Sequence, residues 1–246
     1  MFKRKYKITY SAITEKGSRE RNEDYFGADM SEDVTACVLC DGLGGHGNGD
    51  VASKLVVEKM LDAMCDKKMN IEDAVMYSQQ KLLEKQEIEN AKESMKTTMT
   101  GLLIKDGIAK FVHVGDSRIY LFENARYKSR TKDHSISQML VERGDIAESE
   151  IRHHEDRSRL LRAMGTEWNT PKYEVSRDIK ISRKTSFLMC SDGFWELIDE
   201  KEMCRTLKEA DTPKEWLEAM ENIVLEAGKG TDMDNYSALA VFVRGS

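Results

Sequence analysis

Along the chain, short apolar runs alternate with stripes at helical spacing. Runs that read as strands occupy 6–14, 25–30 and 34–40, the last being Val34-Thr35-Ala36-Cys37-Val38-Leu39-Cys40. From about 49 to 65, Ala52, Leu55, Val56, Met60, Ala63 and Met64 recur on one helix face. Over about 71–94, Ile71, Ala74, Val75, Ser78 and Leu82 do the same. These stripes read as core faces of an antiparallel helix pair covering a sheet. Strands return at 98–104 and 108–114, joined by the hairpin signal Asp106-Gly107, and at 118–122, where Glu123-Asn124 turns the chain. The stretch 131–166 is polar, rich in His and Arg, with a short helix near 136–143, and reads as an inserted flap. Further strands are expected at 172–176, 186–190 and 237–243, with helices near 199–209 and 213–227. Strands interrupted by paired helices predict stacked sheets with helical outer layers.

Length and composition add bounds. At 246 residues and 40% hydrophobic, with no repeat or low-complexity linker, the chain suits one domain over 1–246. No run of about 18 apolar residues occurs, so no spanning helix is expected. The basic start, Met1-Phe2-Lys3-Arg4-Lys5-Tyr6-Lys7, lacks the apolar stretch of a signal peptide. Five cysteines, an odd number, argue against a disulfide framework, and Cys37-x-x-Cys40 reads as part of a buried strand. Reduced thiols fit a cytoplasmic protein. A net charge of -6 disfavours nucleic acid as a partner. An anionic substrate would have to be drawn in locally, by a metal or an arginine.

Several carboxylates stand at strand-to-loop junctions. Asp41 follows Val38-Leu39-Cys40 and precedes Gly42-Leu43-Gly44-Gly45-His46-Gly47. No Gly-Lys-Ser/Thr follows, so this is not the phosphate loop of nucleotide hydrolases. The same grammar recurs at Asp116, at Asp192, at Asp234 before the last strand, and at Glu23-Asp24. One aspartate at a strand end is a turn former. Five such sites fed by buried strands would repel one another unless protons or cations intervene. Magnesium or manganese suits oxygen ligands, whereas zinc would want His or Cys.

These residues carry a resemblance. Arg19-x-x-Asn22-Glu23-Asp24, Asp41-Gly42-x-Gly44-Gly45-His46, Ala52-Ser53, Thr97-Thr98 and Val114-Gly115-Asp116-Ser117-Arg118-x-Tyr120 appear in order. Thr131-x-Asp133-His134-Ser135, Arg162-Ala163-Met164-Gly165, Ser191-Asp192-Gly193-Phe194-Trp195 and Asp234-Asn235-x-Ser237 follow. From about residue 9 to 243 the chain resembles the metal-dependent serine/threonine phosphatases of the type 2C (PPM) family, in their compact bacterial form.

The resemblance implies an α+β fold of four layers, α-β-β-α: an antiparallel β-sandwich flanked by paired helices, with the flap inserted at about 131–166. It implies that Asp41 bridges two Mn2+ or Mg2+ ions, with the Gly42 carbonyl as a further ligand and Asp192 and Asp234 on the first ion. Glu23 would sit on the second ion's side, largely through water, with Asp24 beside it. Asp116 matches the position of a weaker third ion, and Arg19 the arginine that grips the substrate phosphate. Substrates would be phosphorylated proteins, among them a serine/threonine kinase or its targets, and the enzyme a monomer. Leu43 stands where some members carry a histidine that could protonate the leaving alcohol, so that role is open between a metal-bound water and a flap histidine. His46 is expected to brace its loop, His113 to be a satisfied sheet residue, and His134 and Ser135 to organise the flap's start. Trp195 and Trp216 read as core anchors. Two other readings stand beside this one: a catalytically dead phosphoprotein-binding relative, and a hydrolase of small phosphate esters.

Overall fold

The computed structural model describes residues 6–31, 33–43 and 47–245. Gly44, Gly45 and His46 of the glycine-rich loop, and residues 1–5 of the basic start, lie outside the described residues. Strand β1 (Tyr6–Glu15) is followed by β2 (Asp24–Met30) and β3 (Val34–Asp41). Helix α1 (Gly49–Leu61) continues into a π-helical turn at Asp62–Asp66, and α2 spans Ile71–Glu89. Next come β4 (Met99–Lys105), β5 (Ile108–Val114), β6 (Arg118–Glu123) and β7 (Arg126–Arg130). Helix α3 (Ile136–Arg143), a 3-10 turn at Glu148–His153, and the short strands β8 (Glu174–Val175) and β9 (Ile179–Lys180) lead to β10 (Thr185–Cys190). The chain closes with α4 (Asp192–Trp195), α5 (Glu200–Glu209), α6 (Pro213–Ala227) and β11 (Tyr236–Gly245).

Period-two alternation within buried strands builds the layers. On β3, Cys37 and Leu39 point into the space between two sheets, with Phe187 and Met189 of β10 and Leu239 and Val241 of β11. Their neighbours Ala36, Val38 and Cys40 face the apolar stripe of α1 and α2, which includes Val56, Met60, Val75 and Leu82. Leu188, Ala240 and Phe242 face Met203 of α5 and Trp216 and Met220 of α6. One sheet runs β1-β11-β10-β6-β7 and the other β2-β3-β4-β5-β8, with β9 also on β5. The pairings are antiparallel. The expected four-layer α-β-β-α sandwich is what the chain forms.

Two expectations need correction, and one strand, β7, was not expected. Helix α2 stops at Glu89 instead of running to about 94, because Asn90 adopts the left-handed conformation (φ 51) and closes the helix end. Strand β7, Arg-Tyr-Lys-Ser-Arg, has no apolar run; the turn at Asn124 and Ala125, both at positive φ (52 and 53), folds it back onto β6. The strand expected over 172–176 is reduced to Glu174–Val175. Among the described residues no helix is long and apolar enough to cross a membrane.

The segment 131–166 is pinned at both ends. Buried Arg118 holds buried Asp133 with two bonds, Nε to Oδ1 at 2.8 Å and Nη2 to Oδ2 at 2.6 Å. At the far end Met164 and Thr97 exchange main-chain hydrogen bonds at 2.9 and 3.3 Å.

Candidate active site

The antiparallel registers gather the carboxylates at one end of the sandwich. Asp24, opening β2, pairs with Asp41, closing β3. Asp192 follows β10 and Asp234 precedes β11, and those strands are hydrogen-bonded neighbours. Asp116 sits in the link that carries the chain from β5 in one sheet to β6 in the other. Glu23, Asp41, Gly42, Asp116, Asp192 and Asp234 line one cleft of about 730 Å³, with Arg19, Leu43, Ser158 and Leu160 among the other walls. Asp24 stands behind that wall: it is buried, its Oδ2 accepts from Ser191 Oγ at 2.7 Å, and its Oδ1 has no hydrogen-bond partner.

Neighbouring polar residues fix the main chain under these groups. Asp41 N donates to Thr98 Oγ1 at 2.9 Å, and Asp41 O accepts from Thr98 N at 2.8 Å and Thr97 Oγ1 at 2.7 Å. Glu23 N donates to Asn235 Oδ1 at 2.8 Å, and Glu23 O accepts from Ser53 Oγ at 2.6 Å. A Cβ on Gly42 would lie 2.3 Å from Gly49 O and 2.7 Å from Glu23 O, so glycine permits this close approach. Trp195 is buried as expected of a core anchor, and its indole N–H also donates to Asp116 O at 3.0 Å. Thr97, Thr98, Ser53 and Asn235 were visible in the sequence only as motif members; these bonds supply their parts.

Burial first, and then mutual repulsion, pushes the cleft carboxyls up. Asp41 is held well above the usual range by burial, with Asp24, Asp192, Asp116 and Asp234 adding to it. Burial, with Glu196 and Asp234 nearby, raises Asp192 to about 7. Burial also raises Asp24 to about 7, against the hydrogen bond from Ser191 and the nearby Ser237 hydroxyl. Asp116 is pushed well up by burial and by Asp192, and Glu23 is raised by burial and Asp50. The cleft therefore lacks positive charge. Arg19 supplies some, its Nε and Nη2 donating to the two oxygens of Asp234 at 3.0 and 3.2 Å. Among the described residues no histidine or cysteine lines the cleft. The carboxylates and Gly42 that line the cleft form a donor set that fits hard divalent cations such as Mg2+ or Mn2+, and the buried Asp24 Oδ1 is left unpaired just behind it. The same lining does not include the flap histidines His134, His153 and His154.

A second cluster, His113, His134 and Glu174, places ligand atoms within 4.8 Å of one another. Its hydrogen bonds argue against a cation there. Gly115 N–H donates to His134 Nδ1 at 3.1 Å, so that nitrogen is already engaged, and Nε2 lies 3.3 Å from Glu174 Oε1. Nε2 of His113 lies 2.7 Å from the Lys132 carbonyl and donates to it. The two rings stack at 4.4 Å, and Arg162 Nη1 lies 3.1 Å from His134 Nε2. The stacked pair anchors the start of segment 131–166, with Ser135 capping α3.

A sequence model described as protein phosphatase 2C matches residues 15–234. The chain belongs to the protein phosphatase 2C family. The serine/threonine phosphatase stp of Listeria monocytogenes is 31% identical over 234 residues, covering 91% of this chain and 90% of that protein. The crystal structure of the Mycobacterium tuberculosis serine/threonine phosphatase PstP/Ppp superposes with a TM-score of 0.82 at 27% identity, over 96% of this chain and 99% of that one. The catalytic domain of PstP in complex with two manganese ions gives 0.79 at 26% identity, over 96% and 98%. In this protein phosphatase 2C the wall residue after Asp41-Gly42 is Leu43, an apolar side chain facing the cleft.

Proposed function

We propose that this phosphatase hydrolyses phosphoserine and phosphothreonine in proteins, as a monomeric single domain over 1–246, opposing a cytoplasmic serine/threonine kinase. The observation that carries the reading is the meeting of Asp41, Asp192, Asp234, Asp116 and Glu23 in one cleft. The manganese-bound PstP domain of the same fold supports it. Asp41 would hold two ions, with the Gly42 carbonyl on one and Asp192 and Asp234 on the other. Glu23 would act on the second ion's side through water, with Asp24 supporting from behind. Asp116 would hold a third, weaker ion. Bound there, such ions supply positive charge against the phosphoryl oxygens and a water acidic enough to attack phosphorus near neutral pH.

The chain's own residues do the rest. Arg19 exchanges Asp234 for the substrate dianion, which its planar fork matches with two parallel hydrogen bonds. Thr97 and Thr98 hold the Asp41 main chain, so the carboxylate is positioned before substrate arrives. Cysteine chemistry is not used: Cys37 and Cys40 are buried in β3, and burial pushes both thiols up, Cys37 to about 12. The test is turnover by the purified chain with manganese. A phosphothreonine peptide should be hydrolysed, and more efficiently than a small phosphate monoester. Binding without turnover would favour a phosphoprotein-binding module, and preference for the small ester a different hydrolase.

A further inference from the structure

Two glutamines lie buried on the inner face of α2, among the apolar side chains of Ile71, Val75 and Leu82. Gln86 Nε2 donates to the main-chain oxygens of Met95 at 2.6 Å and Gly165 at 2.9 Å. Two turns earlier, Gln79 Oε1 accepts from Gly165 N at 2.9 Å, and its Nε2 donates to Thr166 O at 2.6 Å. One helix therefore grips two separate loop segments. Buried main-chain groups need partners, and an apolar side chain here would leave these unpaired. Gly165 makes the approach possible: at φ +84, a Cβ would lie 2.6 Å from Gln86 Nε2 and 2.7 Å from Met95 O.

Both gripped segments run directly to the cleft. After Met95, the Lys96 carbonyl accepts from Leu43 N at 2.9 Å, and Thr97 and Thr98 hold the main chain of Asp41. Before Gly165, Met164 is bonded to Thr97 through the paired main-chain hydrogen bonds described above. We propose that Gln79 and Gln86 are positioning residues. They lock the return of segment 131–166 to the strand end bearing Asp41, Gly42 and Leu43, so that the two keep one spacing. This rests on the phosphatase reading. Neither glutamine lines the cleft, and their influence passes through Met95–Thr98 and Met164.

The test compares Gln86→Met and Gln79→Met with Gln80→Met, a control on the exposed face of the same helix whose amide bonds Glu84. Turnover of a phosphothreonine peptide, calorimetric manganese titration and amide hydrogen exchange are measured on each. Folded Gln86→Met should lose about tenfold in kcat with KM little changed, since misplacing a reacting group costs mainly turnover. Its manganese affinity should fall by about tenfold, as expected for a support behind metal ligands. Exchange should speed up together at the amides of Leu43 and Met164. Gln79→Met should show the same pattern more weakly, and Gln80→Met should match the parent. A Gln86→Met protein that is less stable but keeps its kcat, manganese affinity and Leu43 exchange would overturn the proposal. If that variant does not fold, Gln79→Met decides by the same readouts. A parent protein inactive on the peptide would defeat the phosphatase reading instead, leaving manganese affinity and the paired exchange to judge the clamp.

Discussion

The indole of Trp195 holds the main-chain oxygen of Asp116 at 3.0 Å, and Trp195 closes the same short helix that Asp192 opens. One hydrogen bond thus ties two cleft carboxylates together. The Arg118 guanidinium carbon lies 3.3 Å from the centre of the indole ring, so the ring is fixed from its face as well. Trp195→Phe keeps a ring under Arg118 and deletes the bond. Stability should fall by about 1–2 kcal/mol, and kcat should drop more than KM rises. Urea unfolding and peptide kinetics with manganese check this; a stability loss with unaltered kcat would make the bond purely structural.

Arg118 and Asp133 form a buried ion pair, each side chain 1% exposed. Asp133→Asn would leave a buried guanidinium without its counter-charge, at a cost of about 3–5 kcal/mol. Asp156→Asn, which removes a partner of the more exposed Arg159, should change stability by no more than about 0.5 kcal/mol. Urea midpoints of the two variants against the parent give the comparison.

Burial first, then His113 and Arg162, lowers His134 to about 3. An unfolded histidine takes up a proton near pH 6.5, so below that pH the unfolded chain binds a proton that the folded one refuses. The contribution of His134 is therefore complete above pH 6.5. It is lost as pH falls from 6.5 towards 3, at up to about 1.4 kcal/mol per pH unit. His134→Gln should show a shallower loss of stability between pH 6.5 and 5 than the parent. Equal slopes in paired urea titrations would contradict a buried neutral imidazole.

Arg19 bonds Asp234 and lies 3.5 Å from Asp232, on an exposed rim. Arg19→Ala should mainly raise KM for a phosphothreonine peptide, because it removes binding to the ground-state dianion. A loss confined to kcat would assign Arg19 another task.

Elements buried on both faces were legible in the sequence. Cys37 to Cys40 and Phe187 to Cys190 each read as an apolar run, because neighbouring layers cover both sides of those strands. Strand β7 was not, since its side chains are largely exposed and only its turn sets it. Asp41, Asp192 and Asp234 were legible because each adjoins such a run, but the depth of the carboxylates was not. Register puts Asp24 opposite Asp41, yet its side chain withdraws to Ser191, just past the end of β10 in the other sheet, a contact 167 residues distant along the chain. Gln79 and Gln86 gave no signal for a similar reason: a polar residue beside an apolar stripe looks solvated until the loop it grips is in view.

The most direct measurement is manganese-dependent hydrolysis of a phosphothreonine peptide by parent and Asp41→Asn protein, each first shown to be folded. Asp41 is half-buried beside Asp24, Asp192, Asp116 and Asp234, and neutralising it relieves repulsion, so the variant should fold at least as well without metal. The account predicts manganese-dependent turnover by the parent and almost none by the variant at any manganese concentration. Near-normal turnover by folded Asp41→Asn would contradict a reaction centred on that carboxylate.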